Sequence, residues 1–193
     1  MSLYYDRIFP VNVFSLLREN DDLNKELLID IYKIRETDDS IDKSNKGGFH
    51  SPTNLNQRNI ESFNRLEDEL LYIVNSKVIK ENFPKLSKLK CNKIDGMWFI
   101  INKLNDYNTM HTHSRSFISG AYYVKLPQQQ KNCLHFEDPI TIRKYENITP
   151  TQYIKEVCES MIVLFPGWLP HKVPTNITDE ERIVISFNID FPS

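Results

Sequence analysis

Two histidines separated by one residue, His111 and His113, stand in the run Met110-His111-Thr112-His113-Ser114-Arg115-Ser116-Phe117-Ile118-Ser119-Gly120-Ala121-Tyr122-Tyr123-Val124-Lys125-Leu126. Side chains alternate faces along an extended strand, so both rings are expected on one side, with Phe117, Ser119, Ala121 and Tyr123 following the same parity. A first-row metal takes imidazole nitrogen readily, and a same-face pair needs only one or two further ligands to close a site. By itself a His-x-His pair is equally well surface decoration. A third histidine changes the weighing: His171 opens a strand after the Pro166-Gly167 turn, where a β-sandwich can bring it opposite the first two. Arg182 heads the last strand. A guanidinium aimed inward there is costly unless a carboxylate meets it, and a bound anion would supply one.

The elements that must position these groups fall into two halves. Ile8 to Phe14 alternates around Pro10 and is expected to form a short edge strand. Asp21 or Asp22 is placed to cap a helix whose Leu23, Leu27, Leu28, Ile31 and Ile34 recur at helical spacing. Ile60, Phe63, Leu66, Leu70, Ile73 and Val78 mark a second helix that must stop before Pro84. Between the helices, Ser44 to Pro52 holds Gly47, Gly48 and His50, a turn that suits either an exposed loop or a flap over a pocket mouth. From about Lys93 the period changes to extended. Strands are expected over Ile94–Asn102, from His111 through Leu126, over Cys133–Asp138 as a hairpin return, over Glu159–Pro166, from His171, and over Arg182–Ile189, with one long connection before Glu159. The expected fold is mainly β: a double-stranded β-helix, or cupin-like jelly-roll, with the N-terminal helices packed outside it. A single domain spans 1–193, with strand and helices in 1–92 and the jelly-roll core in 93–193.

Composition narrows the function classes. Lys and Arg number 24 against 26 for Asp and Glu, a net charge of -2 with no long like-charged block, so nothing points to nucleic acid or a membrane surface. Three widely spaced cysteines, Cys91, Cys133 and Cys158, match neither a disulfide framework nor a zinc ribbon, which favours a reducing, cytoplasmic setting. No signal peptide or membrane-spanning run is expected. A homodimer is compatible with the sequence but not indicated by it. Trp98 and Trp168 are assigned to packing first. His135 has the wrong parity to join a site.

The chain resembles the 2-oxoglutarate and Fe(II)-dependent oxygenases, in particular a small bacterial and phage-encoded group with a His-x-His-x-x-Ser-x-x-Ser-Gly-x-Tyr-Tyr strand. The resemblance is carried by His111-Thr-His113 through Ser119-Gly-Ala-Tyr-Tyr123, by Leu134-His-Phe-Glu-Asp-Pro139, by Leu164-Phe-Pro-Gly-Trp-Leu-Pro-His171, and by Arg182 with Ser186-Phe-Asn188. The Ser44–Ser51 segment and Phe9-Pro10 also take part.

That resemblance implies Fe(II) held at His111 and His171, 2-oxoglutarate chelating the metal, and O2 as oxidant. It also implies Arg182, with Tyr123, Ser119 and Asn188, at the co-substrate, and a hydroxyl delivered to a C–H bond of a protein side chain or small metabolite as 2-oxoglutarate becomes succinate. His50 and Trp168 are the candidate substrate contacts. The wider superfamily has a carboxylate two residues after the first histidine, where this chain has His113. Three ligand sets stay open: His111, His113 and His171 together; two histidines and water; or a carboxylate from Glu137 or Asp138. Parity ranks the three-histidine set first and Asp138 next. Two readings of other classes also remain, a non-catalytic metal-binding jelly-roll and a zinc hydrolase with Glu137 or Asp138 as base.

Overall fold

Apolar side chains alternate along the longest strands so cleanly that each strand serves two cores. In the computed structural model, which describes residues 10–19, 22–113, 115–140 and 151–192, Ile183, Ile185, Phe187 and Ile189 face one buried cluster while Val184 turns to another. These belong to β11 (Arg182–Ile189), the eight-residue strand that lies between β4 (Ile94–Asn102) and β6 (Ile118–Lys125). Outside them come β9 (Met161–Pro166), β1 (Phe14–Leu17) and β3 (Phe49–His50), giving a six-stranded sheet in the order β1-β9-β6-β11-β4-β3. The second sheet runs β2 (Asn45–Lys46), β5 (Tyr107–His111), β10 (His171–Val173), β7 (Asn132–Glu137) and β8 (Gln152–Glu156). Among the described residues every pairing between these strands is antiparallel. The two facing sheets make a jelly-roll.

Helices α1 (Asp22–Thr37) and α2 (Glu61–Ile73) cover the outer face of the larger sheet. Leu23, Leu27, Ile31, Phe63, Leu66 and Leu70, spaced three or four apart, bury against Met97, Phe99, Tyr122, Leu164 and the odd-numbered face of β11. A wider helical turn at Val74–Ile79 continues α2 and still buries Val74, Val78 and Ile79. Among the described residues no helix is long and apolar enough to cross a membrane.

Several expected elements are displaced. The edge strand does open the larger sheet, but over Phe14–Leu17; of the expected stretch, residues 8 and 9 lie outside the described residues and 10–13 are not paired, Pro10 being unable to donate to a ladder. Asp21 also lies outside them, and α1 starts at Asp22. The run from His111 to Leu126 is not one strand: β5 ends at His111 in the smaller sheet and β6 begins at Ile118 in the larger. Continuous parity from His111 to Tyr123 is therefore wrong. Strand β7 pairs with β10 and β8 rather than returning beside β6. The long connection before Glu159 contains β8, whose exposed Gln-Tyr-Ile-Lys-Glu carries no inward stripe to betray it.

Gly120 shows how tightly the helix side is packed. A Cβ there would come within 2.6 Å of Phe187 Cε2 and 2.9 Å of Leu164 Cδ2, both fully buried. Gly120→Ala is expected to lower unfolding free energy by about 1–3 kcal/mol through overpacking, read from urea denaturation.

Candidate metal and anion site

The Ser44–Pro52 segment, which supplies Ser44 and His50 to the wall of a cavity between the sheets, is neither an open loop nor a free flap. It carries β2 in one sheet and β3 in the other, joined by Gly47 and Gly48 at φ of +71° and +67°. A side chain at 48 would also drive its Cβ to 2.5 Å from the Ile101 carbonyl, so glycine is required there on both counts. The cavity beside this segment has a volume of about 610 Å³.

Three imidazoles converge on it. His111, His113 and His171 each offer one ligand nitrogen, and these atoms all lie within 4.8 Å of one another. Any triangle of that size has a point within roughly 2.8 Å of every corner, against metal–nitrogen bonds near 2 Å, so small ring rotations suffice to bind one ion. The convergence does not come from regular strand parity. His171 sits opposite His111 in the β10–β5 ladder, but Val173 sits opposite Asn108, so β5 has one extra residue in between. That bulge turns both Asn108 and His111 toward the cavity. His113 lies beyond the end of β5, its N–H donating to the Gly167 carbonyl at 2.7 Å, which ties it to the turn before His171.

Second partners set the ring orientations. His111 Nδ1 is 2.7 Å from the Thr109 carbonyl and His171 Nδ1 is 2.9 Å from the Leu169 carbonyl. A carbonyl only accepts, so Nδ1 carries the proton in both rings and Nε2 keeps its lone pair for the cavity. Burial holds all three rings below the usual histidine range, His113 down to about 4 and His171 to about 3. They are neutral at neutral pH, which is the ligating form.

Arg182 is the other unusual group. It is fully buried, and it shares the inner face of β11 with Val184, Ser186 and Asn188; Ile183, Ile185 and Phe187 pack into the helix-side core. Its guanidinium donates to Asn102 Oδ1 at 3.4 and 3.2 Å and to the Pro174 carbonyl at 2.8 Å, with the Cys133 thiol at 3.9 Å. Among the described residues it has no carboxylate partner within ion-pair distance. The neighbouring Glu181 is taken by Tyr32 at 2.6 Å and Arg35 at 3.1 Å. Asn102, Tyr123 and Cys133 line the cavity directly in front of this arginine, and burial pushes the Tyr123 phenol well above its ordinary range. Ser119 donates to Asn188 Oδ1 at 2.8 Å across the β6–β11 ladder, and Asn188 reaches the cavity wall.

The remaining expectations divide. His50 lines the cavity, buried and stacked on Trp98 with ring centroids 5.9 Å apart. Trp98, expected only to pack, is part of that wall and lies 5.8 Å from the His113 ring. Trp168 is 49% exposed and outside the cavity, because the turn after β9 points it to solvent. Asp138 accepts from the Ile140 N–H at 2.9 Å as a turn residue, and neither it nor Glu137 joins the histidine cluster or the cavity wall. Asn102 and Asn108 went unnoticed in the sequence. Both are 2% exposed, both line the cavity, and each has one amide atom without a partner: Nδ2 in Asn102, and Oδ1 in Asn108, whose Nδ2 donates to Ser44 Oγ at 3.2 Å. No sequence pattern marks them.

The histidine cluster in the cavity wall could hold a metal ion, and the buried arginine behind Asn102, Tyr123 and Cys133, with no carboxylate at ion-pair distance among the described residues, could meet a small anion. Residues 96–188, which contain all three histidines, Tyr123 and Arg182, match the family described as "Putative 2OG-Fe(II) oxygenase". The jelly-roll of this chain is thus similar to the 2-oxoglutarate/Fe(II)-dependent oxygenases. Solved structures agree in fold. A prolyl-4-hydroxylase of Pseudomonas putida superposes with a TM-score of 0.66 at 13% identity, covering 93% of this chain and 92% of its own. HygX from Streptomyces hygroscopicus, solved with nickel and 2-oxoglutarate bound, gives 0.62 at 10% identity over 93% and 83%. A viral collagen prolyl hydroxylase from Paramecium Bursaria Chlorella virus-1, in complex with 2-oxoglutarate, gives 0.60 at 11% identity over 92% and 94%. No curated protein matches the chain by sequence.

Proposed function

We infer that His111, His113 and His171 hold Fe(II), that Arg182 receives the far carboxylate of 2-oxoglutarate, and that the enzyme hydroxylates a C–H bond of a protein side chain or a small metabolite. The observation that carries this is the cavity itself: three neutral imidazoles at one place in its wall, and a fully buried guanidinium without a carboxylate behind another. When bound, iron and 2-oxoglutarate supply the oxidising chemistry, one atom of O2 entering succinate as CO2 leaves and the other entering the substrate.

The chain's own residues do the positioning. The Thr109 and Leu169 carbonyls hold His111 and His171 as Nε2 ligands, so neither ring must lose a proton to bind a cation. Tyr123 presents its hydroxyl group on the cavity wall before the arginine, while Ser119 and Asn188, bonded to each other, stand at the opposite end of β11 from Arg182 and can meet only another part of the ligand. His50 and Trp98 form the wall toward the mouth, where Asp95, Thr53 and Lys43 face the substrate side. Trp168, exposed outside that wall, is not included. The sheets and helices exclude water from the inner end, which strengthens each polar contact made there. A zinc hydrolase would need a carboxylate base at the metal. Among the described residues Asp95, exposed at the mouth, is the one carboxylate in the cavity wall. Unpaired Cys91, Cys133 and Cys158 support a reducing, cytoplasmic setting.

Anaerobic titration of Fe(II) into the protein, followed by 2-oxoglutarate, tests the reading. A weak visible charge-transfer band dependent on both additions is expected; its absence, with no 2-oxoglutarate binding by calorimetry to the Fe(II)- or Mn(II)-loaded protein, would overturn it.

A further inference from the structure

We propose that Asn102 is a positioning residue whose neutral amide orients Arg182 for an incoming carboxylate while supplying no charge of its own. The inference rests on the reading that Arg182 binds the distal carboxylate of 2-oxoglutarate. Asn102 sits opposite Arg182 in the β4–β11 ladder, and its Oδ1 accepts from both Nε and Nη2 of the guanidinium, at 3.4 and 3.2 Å. One edge of the fork is thereby fixed, and Nη2 is held further by the Pro174 carbonyl at 2.8 Å. Among the described residues Nη1 has only the thiol of Cys133, a weak acceptor at 3.9 Å, so the guanidinium keeps donor capacity toward the cavity end walled by Cys133 and Tyr123.

The amide cannot be turned round. With Oδ1 facing two N–H donors, a flip would set the NH2 group against the guanidinium, so Nδ2 must point away, and it has no acceptor although Asn102 is 2% exposed. A carboxylate in this place has the same shape and would satisfy Arg182 better. It would also neutralise the cation within the fold and leave a second carboxylate to be desolvated against a site already paired. Asparagine at 102 holds the fork yet adds no paired carboxylate to it; Asp106 favours the cation only from beyond ion-pair distance, its own carboxylate accepting from the Lys103 N–H at 2.7 Å, and the fork thus selects a 2-oxo acid with a distal carboxylate over one without.

The test is N102D beside N102A. Thermal unfolding is measured on the metal-free proteins, and 2-oxoglutarate and the monocarboxylate 2-oxobutyrate are each titrated by calorimetry into the Mn(II)-loaded proteins. N102D is expected to melt about 2–4 °C above wild type and to bind 2-oxoglutarate on the order of 30-fold more weakly, with 2-oxobutyrate affinity changed less than about twofold. N102A is expected to lose about three- to tenfold for 2-oxoglutarate alone, since Arg182 keeps its charge but loses its orientation. Wild type that fails to bind 2-oxoglutarate overturns the reading of Arg182 and this inference with it. Wild-type binding with N102D equally tight, or both acids weakened alike, overturns the inference alone, as does an N102D protein less stable than wild type.

Discussion

His171→Ala is expected to remove metal binding, with Fe(II) or Mn(II) affinity falling by more than about 100-fold, beyond the 10- to 100-fold that follows loss of a mere hydrogen-bond partner of a ligand. Of the three imidazoles it is the most enclosed, 5% exposed, with its Nδ1 pinned by the Leu169 carbonyl and its ring packed T-shaped against Phe165 at a centroid distance of 4.6 Å. Neither packing nor hydrogen bonding lets a neighbouring group move into its place. His135, on the adjacent strand but outside the cavity wall, serves as the control, and His135→Ala should bind metal as wild type does. His113→Ala asks the sharper question, because His113 stands where the wider superfamily has a carboxylate. The same loss is expected, since no carboxylate among the described residues joins the cluster. Retained affinity in that variant would give the third position to water. Equilibrium dialysis with Mn(II), beside circular dichroism to confirm folding, separates these outcomes.

Much of this site was legible because chemistry in a strand is spaced as the strand is. The apolar alternation of β4, β9 and β11 and the helical stripes of α1 and α2 announced the larger sheet and its cover, and the three histidines that cluster could be picked from their residue type and their places along the strands. The reason given for the triad was nevertheless incomplete. Parity along one strand would have aimed His111 and His113 together, whereas a bulge in β5 aims the first and a backbone bond to Gly167 places the second. A bulge adds one residue and leaves no mark in composition. Asn102 illustrates the other limit: its importance is its register opposite Arg182, a property of two strands far apart in the chain, and an asparagine at a strand end otherwise reads as a turn residue. Strand β8 was lost for the converse reason, an exposed edge having no buried face to impose a period.

Arg182→Ala is expected to weaken 2-oxoglutarate binding to the metal-loaded protein by roughly 2–4 kcal/mol, on the order of 30- to 1,000-fold, while metal affinity stays within a few-fold of wild type. The magnitude follows from burial. An exposed arginine paired with Asp179, Glu180 or Glu181 would cost less than about 1 kcal/mol to remove. Arg182 is instead 0% exposed, Glu181 is committed to Tyr32 and Arg35, and burial already draws the guanidinium below its usual range, the mark of a cation stripped of water without full compensation. A carboxylate arriving at such a group recovers the interaction that water no longer provides. Arg182→Met keeps most of the volume and loses the charge, so it should match Arg182→Ala in co-substrate affinity while sparing the packing around Cys133 and Tyr123. Arg182→Lys should recover only part, because an ammonium cannot serve Asn102 Oδ1, the Pro174 carbonyl and a carboxylate with one planar fork. Calorimetry of 2-oxoglutarate into the Mn(II)-loaded variants reads all three. Wild-type affinity in Arg182→Met would detach the arginine from the co-substrate and leave its burial as a structural cost with no ligand to explain it.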